Sequence, residues 1–205
     1  MDNLNSLIHS LITGGYLKTP AIVEAFRKID RKGFVPEAMK VWAYLDQPLS
    51  IGQGQTIYQP LTVAFMLELL EPAAGQKVLD VGTGSGWQAA LLAEIAGTQG
   101  LVVSIERIKS LSESARQNLS KFNFNNLKLV VGDGSLGYLQ EALYDRIIAA
   151  ASSNLIPQTW QDQLKPGGVI VAPVGESLVK LVKIGDGKFK KEEYPGFVFV
   201  PLIIE

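Results

Sequence analysis

Three glycines and three carboxylates carry the chemistry that can be read from this chain. Gly82, Gly84 and Gly86 fall in the run Val78-Leu79-Asp80-Val81-Gly82-Thr83-Gly84-Ser85-Gly86-Trp87, where an apolar strand-like stretch gives way to a helical one. Glycines in that setting let backbone N–H groups approach a ligand at a helix N-terminus. The spacing is G-x-G-x-G, whereas the dinucleotide fingerprint is G-x-G-x-x-G. Trp87 takes the position of that fingerprint's third glycine, and an indole hinders the close helix–strand packing which that glycine permits. Asp80 stands two residues before the loop, where a carboxylate repels pyrophosphate but suits a ligand bearing an ammonium and a sulfonium. No G-K-[ST] occurs, which excludes a P-loop. Gly82, Thr83, Gly84, Ser85 and Gly86 are therefore candidate contacts for S-adenosylmethionine rather than for NAD. Glu106 ends the next strand-like run, where a carboxylate accepts from ribose hydroxyls. Asp133, followed by Gly134, ends the third, where it can accept from an adenine amino group. Each acid alone has an ordinary reading as a helix cap or turn residue. Three of them at successive strand ends beside such a loop mark a nucleoside site.

These residues need a sheet to present them, and the patterning supplies one. From Lys77 onward short apolar runs (KVLDV, LVVSIE, LKLVVGD, DRIIAAA, GVIVAPV) alternate with helical segments at 87–96, 108–118, 136–142 and 156–164. Continuous apolar strands joined by crossover helices indicate parallel strands buried on both faces. The tail differs: Ser177–Ile184 and Lys188–Tyr194 flank Gly185-Asp186-Gly187, a hairpin signal, and Phe197–Ile204 reads as a further strand. The expected fold class is α/β, a Rossmann-like methyltransferase fold with a mixed, mostly parallel twisted sheet of about seven strands and helices on both faces. Upstream, apolar spacing predicts two helices, with Gly14-Gly15 between them and the second opening near Thr19-Pro20. Residues 33–60 are rich in Gly, Pro and Gln with little periodicity, yet hold Phe34, Trp42, Tyr44 and Ile51, which predicts an ordered functional loop. A helix follows over Leu61–Leu70. The expected organisation is one domain over 1–205, with helices and a covering loop in 1–60 and the core in 61–205.

Composition narrows the function classes. With 205 residues, 47% hydrophobic and 19% charged, the chain is long and apolar enough for a complete core. A net charge of −1 with scattered basic residues leaves no electrostatic footprint for nucleic acid or an anionic membrane, so neither is an expected partner. There is no cysteine and one histidine, His9, read as a surface or packing residue. Thiol chemistry is thereby excluded, a His-dependent triad or multi-His metal site nearly so, and no metal is expected. The first residues lack a signal peptide's basic and apolar regions, and no apolar run approaches the ~20 residues of a membrane span, so a cytoplasmic protein is expected.

Longer stretches carry a family resemblance. They are Phe34-Val35-Pro36-Glu37, Ile51-Gly52-Gln53-Gly54-Gln55-Thr56-Ile57, Gly82–Gly86 with Gln88-Ala89-Ala90, Val103-Ser104-Ile105-Glu106-Arg107 and Val131-Gly132-Asp133-Gly134. Further on come Tyr144-Asp145-Arg146-Ile147-Ile148, Gln163-Leu164-Lys165-Pro166-Gly167-Gly168 and Val200-Pro201-Leu202. Over nearly its full length the chain resembles protein-L-isoaspartate O-methyltransferases, the G-x-G-Q-T-I segment being the most specific part. The resemblance implies methyl transfer from S-adenosyl-L-methionine to the free carboxylate of isoaspartyl residues in damaged proteins and peptides, with S-adenosyl-L-homocysteine as product and a monomeric enzyme. It implies cofactor contacts at Ile57, Tyr58, Gln59, Pro60, Asp80, Gly82–Gly86, Glu106, Arg107, Asp133 and Gly134, and substrate contacts at Gln55, Thr56, Ile57, Val200 and Pro201. One position departs: the family's motif ends Thr-Ile-Ser, with the serine hydroxyl near the reacting groups, and here the run is Thr56-Ile57-Tyr58. Tyr58 is thus the candidate catalytic position, with three readings open. It hydrogen-bonds the carboxylate from a shifted pose, it fills the acceptor pocket and leaves a weak enzyme or one for another acceptor, or the chain binds cofactor without turnover. Ala149-Ala150-Ala151 likewise stands where the family has Thr-Ala-Ala, and Asp46 lies at a position the family also uses.

Overall fold

A computed structural model describes residues 3–185 and 187–203. Two helices open the chain. α1 (Leu4–Thr13) is capped by the Asn3 side chain, which accepts from the Ser6 N–H at 3.0 Å, and it buries Leu7, Ile8 and Leu11. α2 (Pro20–Lys28) has proline in its first turn and buries Ile22, Ala25 and Phe26. Its entry is held by Glu68, whose carboxylate accepts from the Lys18 N–H (2.7 Å), the Thr19 N–H (2.8 Å) and the Thr19 hydroxyl (2.7 Å).

The stretch expected to be an ordered loop is ordered, and it is built from short elements. Two 3-10 turns, Arg31–Phe34 and Glu37–Trp42, precede an antiparallel hairpin of β1 (Leu49–Gly52) and β2 (Gln55–Ile57). Left-handed φ values at Gly52, Gln53 and Gly54 turn that hairpin. α3 (Pro60–Leu70) then leads into the core.

The core comprises β3 (Lys77–Val81), α4 (Trp87–Ala96), β4 (Leu101–Glu106), α5 (Lys109–Leu119), β5 (Leu127–Val131), β6 (Tyr144–Ala149), α6 (Gln158–Asp162), β7 (Leu164–Val174), β8 (Ser177–Gly185) and β9 (Lys188–Pro195). The sheet order is β5-β4-β3-β6-β7-β8-β9, parallel from β5 to β7 and antiparallel through β8 and β9. Alternate strand residues feed two cores. Val78, Val102, Ile148 and Val171 pack on one face with α1 to α4, and Leu79, Val103, Ile147 and Ile170 pack on the other with Trp160 and Tyr144. Both faces are therefore covered, as a parallel sheet requires. The chain runs outward in both directions from β3, which places a crevice at the carboxyl ends of β3, β4 and β6. No helix among the described residues is long and apolar enough to cross a membrane.

Three expectations are corrected. The helix expected over Leu136–Ala142 is a pair of 3-10 turns, Gly134–Leu136 and Leu139–Glu141, because Gly137 adopts φ 66° between them. The helix expected from Ile156 to Leu164 shrinks to α6: Pro157 precedes its first turn, and Leu164 already pairs with Tyr144 in the sheet. The strand expected over Phe197–Ile204 is an extended strap with only Pro201 in a bridge, to Ser152. Gly196, at φ 94°, turns it away from β9, and Pro201 has no N–H to give a ladder. Asp186 in the predicted hairpin turn, and Ile204, lie outside the described residues.

Candidate active site

The loop between β3 and α4 needs its glycines. Gly82, Gly84 and Gly86 have φ of 95°, 55° and 93°, a region costly for residues with a Cβ. Space tells the same story: a Cβ on Gly82 would lie 3.2 Å from the Ala150 Cβ, one on Gly84 3.3 Å from the Ile51 Cδ1, and one on Gly86 3.1 Å from the Leu119 Cδ1. Close packing of α4 is thus achieved at Gly86, one residue earlier than in a dinucleotide loop. That frees Trp87 to pack edge-on against Phe26 and to donate its indole N–H to the Ile29 carbonyl at 3.0 Å.

Glu106, at the end of β4, is almost fully buried and braces this loop. One carboxylate oxygen accepts from the Gly84 N–H and the other from the Ile108 N–H, each at 2.9 Å. A carboxylate has about four acceptor sites, so each oxygen retains capacity for a hydroxyl donor. Asp80 has a different position. It is fully buried behind the loop, accepting from Gln88 Nε2 at 2.8 Å and from the Ser104 hydroxyl at 2.7 Å, and it does not line the cleft. Burial pushes its pKa up to about 6 while the bonds from Ser104 and Gln88 pull it down. Asp133 accepts from the Ser135 N–H and hydroxyl at 2.8 and 2.9 Å and precedes Gly134, which does line the cleft.

The buried Asp80 has a measurable consequence. Because folding raises its pKa, the stability linked to it is fully present below the unfolded value near 4 and is lost as pH rises through about 6. Asp80→Asn lacks that loss, and its partner Gln88, whose Oε1 has no bond, can turn its amide to meet the new side chain. The stability of Asp80→Asn relative to the parent chain should therefore climb by on the order of 2–3 kcal/mol between about pH 4 and pH 7.5. Scanning calorimetry over that series checks this; parallel curves for the two proteins would refute it.

The opposite wall comes from three distant segments. The β1–β2 hairpin gives Ile51, Gln55, Thr56 and Ile57, the end of β6 gives Ala150 and Ala151, and the strap gives Val200, Pro201, Leu202 and Ile203. The strap is fixed by the Ser152 main chain, whose N–H donates to the Val200 carbonyl at 2.8 Å and whose carbonyl accepts from the Leu202 N–H at 2.6 Å. Phe197 stacks on Phe65 with 5.6 Å between ring centroids. Tyr58 joins all three segments: its hydroxyl donates to the Ala150 carbonyl, and its ring meets Phe199 edge-on at 4.9 Å. Tyr58 therefore turns into the cleft. Burial, and then the carboxylates of Asp80 and Glu106, raise its phenol pKa, so it stays neutral at any working pH. Between the walls lies about 920 Å³ of empty space, counting the solvent at the mouth.

Of the residues expected at the site, Gln55, Thr56, Ile57, Tyr58, Gly82, Thr83, Gly84, Ser85, Glu106, Arg107, Gly134, Val200 and Pro201 line this one cleft. Gln59, Pro60, Asp80, Gly86 and Asp133 do not: Gln59 and Pro60 begin α3, Asp80 is fully buried, Gly86 packs against Leu119, and Asp133 holds the turn at Ser135. Sequence reasoning missed Ile108 and Leu111. Ile108 and Leu111 had a signal, since they are apolar residues just after Glu106, the acid expected to meet a ribose.

Comparison with known proteins follows this geometry. The family model described as Protein-L-isoaspartate(D-aspartate) O-methyltransferase (PCMT) matches residues 2–205. A protein-L-isoaspartate O-methyltransferase of Ignicoccus hospitalis is 47% identical over 209 residues, covering 100% of this chain and 99% of that protein. One from Methanopyrus kandleri is 45% identical, covering 97% and 90%. The crystal structure of a Plasmodium falciparum protein in complex with S-adenosyl-L-homocysteine has a TM-score of 0.88, with 99% of each chain covered at 23% identity, which shows the shared fold.

Proposed function

The chain belongs to the protein-L-isoaspartate(D-aspartate) O-methyltransferase family, and from that premise we propose that it methylates the free carboxylate of isoaspartyl residues in damaged proteins. S-adenosyl-L-methionine is the donor and S-adenosyl-L-homocysteine the product. The observation that carries this reading is the two-walled cleft, with a glycine loop braced by Glu106 on one side and a largely uncharged wall of hairpin, strand end and strap on the other. The residues present fit the donor. A Cβ on Gly82 or Gly84 would crowd the loop against the opposite wall, and Glu106 has acceptor capacity left for two hydroxyls.

When bound, the donor supplies a methyl group on a positively charged sulfur. The glycine loop and the Glu106 carboxylate hold its polar parts, while Arg107, Ile108, Leu111 and Gly134 flank the nucleoside. Asp80 acts from behind the loop, its negative charge favouring a cationic ligand in front. The acceptor needs no protein base, because a free carboxylate with pKa about 4 is ionised at neutral pH. Its oxygen forms the new C–O bond as the methyl–sulfur bond breaks, the electron pair stays on sulfur, and the opposite charges cancel. The ester then cyclises to a succinimide with loss of methanol, and water can reopen that ring to normal aspartate. The protein contributes alignment and exclusion of water, and orientation alone can lower a barrier by ~7–11 kcal/mol. Tyr58, Gln55, Thr56, Ile57, Val200 and Pro201 form the acceptor wall, against which a peptide lies extended.

The reading extends to one methyltransferase domain over 1–205, with 1–60 covering a core of 61–205. It acts as a cytoplasmic monomer without nucleic-acid or membrane partners, in keeping with the net charge of −1 and scattered basic residues. Labelled methyl transfer to an isoaspartyl peptide and to its aspartyl twin tests the assignment. Transfer to the first alone is expected. Transfer to neither, with S-adenosyl-L-homocysteine still bound, would favour the second reading, in which the Tyr58 ring has adapted the cleft to another acceptor.

A further inference from the structure

We propose that Arg31 is the positioning residue of the acceptor wall, a single buried guanidinium that fastens both ends of the β1–β2 hairpin beside the donor-side helix α4. The inference rests on reading the cleft as a methyl-transfer site.

Arg31 lies in the 3-10 turn after α2 and is fully buried. Its Nη2 donates to the carbonyls of Gln47 and Tyr58, each at 2.9 Å, and these two residues flank the hairpin on either side. Nη1 donates to the carbonyls of Ala43 at 2.8 Å and Leu45 at 3.3 Å, in the turn that leads to the hairpin. The guanidinium carbon stands 5.7 Å from the centroid of the Trp87 ring, and Trp87 is both the first residue of α4 and a lining residue of the cleft. One planar fork thus reaches the root of the acceptor hairpin, the main chain of Tyr58 and the aromatic ring that follows the glycine loop.

A scaffold alone does not call for this group. Burying a cation is costly, and burial pulls this guanidinium down to about 10, with Asp46 opposing. Its Nε has no partner. An apolar side chain would fill the same volume without either cost. Only a guanidinium draws four carbonyls from four residues to one rigid plane, and a lysine ammonium offers three donors at a single point. Asp46 complements it: its carboxylate accepts from the Leu61 N–H at 2.8 Å, holding the same turn to the start of α3. The hairpin carries Ile51, Gln55, Thr56 and Ile57 into the cleft, so its root angle sets how firmly an acceptor peptide is held there.

Arg31→Lys and Arg31→Met in the full chain test this, with calorimetric binding of S-adenosyl-L-homocysteine and steady-state methyl transfer to an isoaspartyl peptide. Expected in Arg31→Lys is a peptide KM raised at least tenfold, with kcat and product affinity within about threefold of the parent chain, and a larger KM rise in Arg31→Met. An unchanged KM in both, or a product affinity that falls as far as KM rises, overturns the proposal. If both variants fail to fold, Asp46→Asn decides: a three- to fivefold rise in KM supports it and an unchanged KM overturns it. If the parent chain is silent toward the peptide, the methyl-transfer reading fails, and hydrogen exchange judges Arg31 separately. Faster exchange in Arg31→Lys across 49–57 but not 82–86 supports the stapling role, and equal change in both segments defeats it.

Discussion

Glu106→Ala is expected to weaken binding of S-adenosyl-L-homocysteine about 100-fold, the largest loss from any single side chain in the cleft. Glu106 acts in two directions. Its oxygens hold the Gly84 and Ile108 N–H groups, fixing the glycine loop and the chain leading into α5. In the proposed donor site their remaining lone pairs accept from the nucleoside hydroxyls. Hydrogen bonds to a charged group contribute ~1.5–3 kcal/mol each, so losing both ligand bonds and the bracing of the loop corresponds to at least ~2.7 kcal/mol, or two decades in affinity. Glu106→Gln should lose less, about tenfold, since one oxygen survives while the amide NH2 opposes a main-chain N–H. Isothermal calorimetry measures both. A dissociation constant for Glu106→Ala within threefold of the parent value would mean that the ligand does not meet this carboxylate, and the donor site would have to be sought elsewhere.

The second large effect belongs to Tyr58. Tyr58→Ser is expected to lower methyl transfer to an isoaspartyl peptide by ~100-fold while leaving affinity for S-adenosyl-L-homocysteine within a few-fold. The ring braces Phe199 of the strap and the hydroxyl ties the Ala150 carbonyl at the end of β6, so its removal loosens two sides of the acceptor wall together. Misplacement of reacting groups by about 1 Å can cost ~10²-fold. Tyr58→Phe keeps the brace and removes only the tie, so a smaller loss, about tenfold, is expected. Its pH–rate profile should match that of the parent, because the buried phenol does not titrate in the working range. A serine variant faster than the parent chain would reverse this account and show that the ring obstructs the acceptor. The three readings that the sequence leaves open at this position are thus separated by two variants and one substrate.

How much was legible in advance depended on distance along the chain. The donor half could be read because its parts repeat with the strands: Gly82, Glu106 and Gly134 each stand at or just beyond the end of an apolar run, and parallel strands joined by helices bring such ends side by side. Period and glycine spacing are local properties, and they determined the fold class, the seven-stranded mixed sheet and the location of the cleft. Local reading failed where a tertiary contact outweighed propensity, as at Leu164, taken into β7, and at the strap, where Gly196 and Pro201 replace a strand with an extended segment.

The acceptor half is different in kind. Tyr58 meets Ala150 across 92 residues and Phe199 across a still longer separation, and Arg31 reaches Tyr58 across 27. None of these pairs leaves a periodic trace, since each is made only when the hairpin, the end of β6 and the strap close over the sheet. The order of residues by itself pointed to a nucleoside-bearing methyl donor and to the strand tips as its expected place. Only the folded chain decided that Asp80 stands behind the loop, that Tyr58 turns inward, and that a buried cation anchors the wall. Strand-end chemistry follows from hydrogen-bonded neighbours set by the sheet, whereas the acceptor wall follows from side-chain packing between segments far apart in the chain.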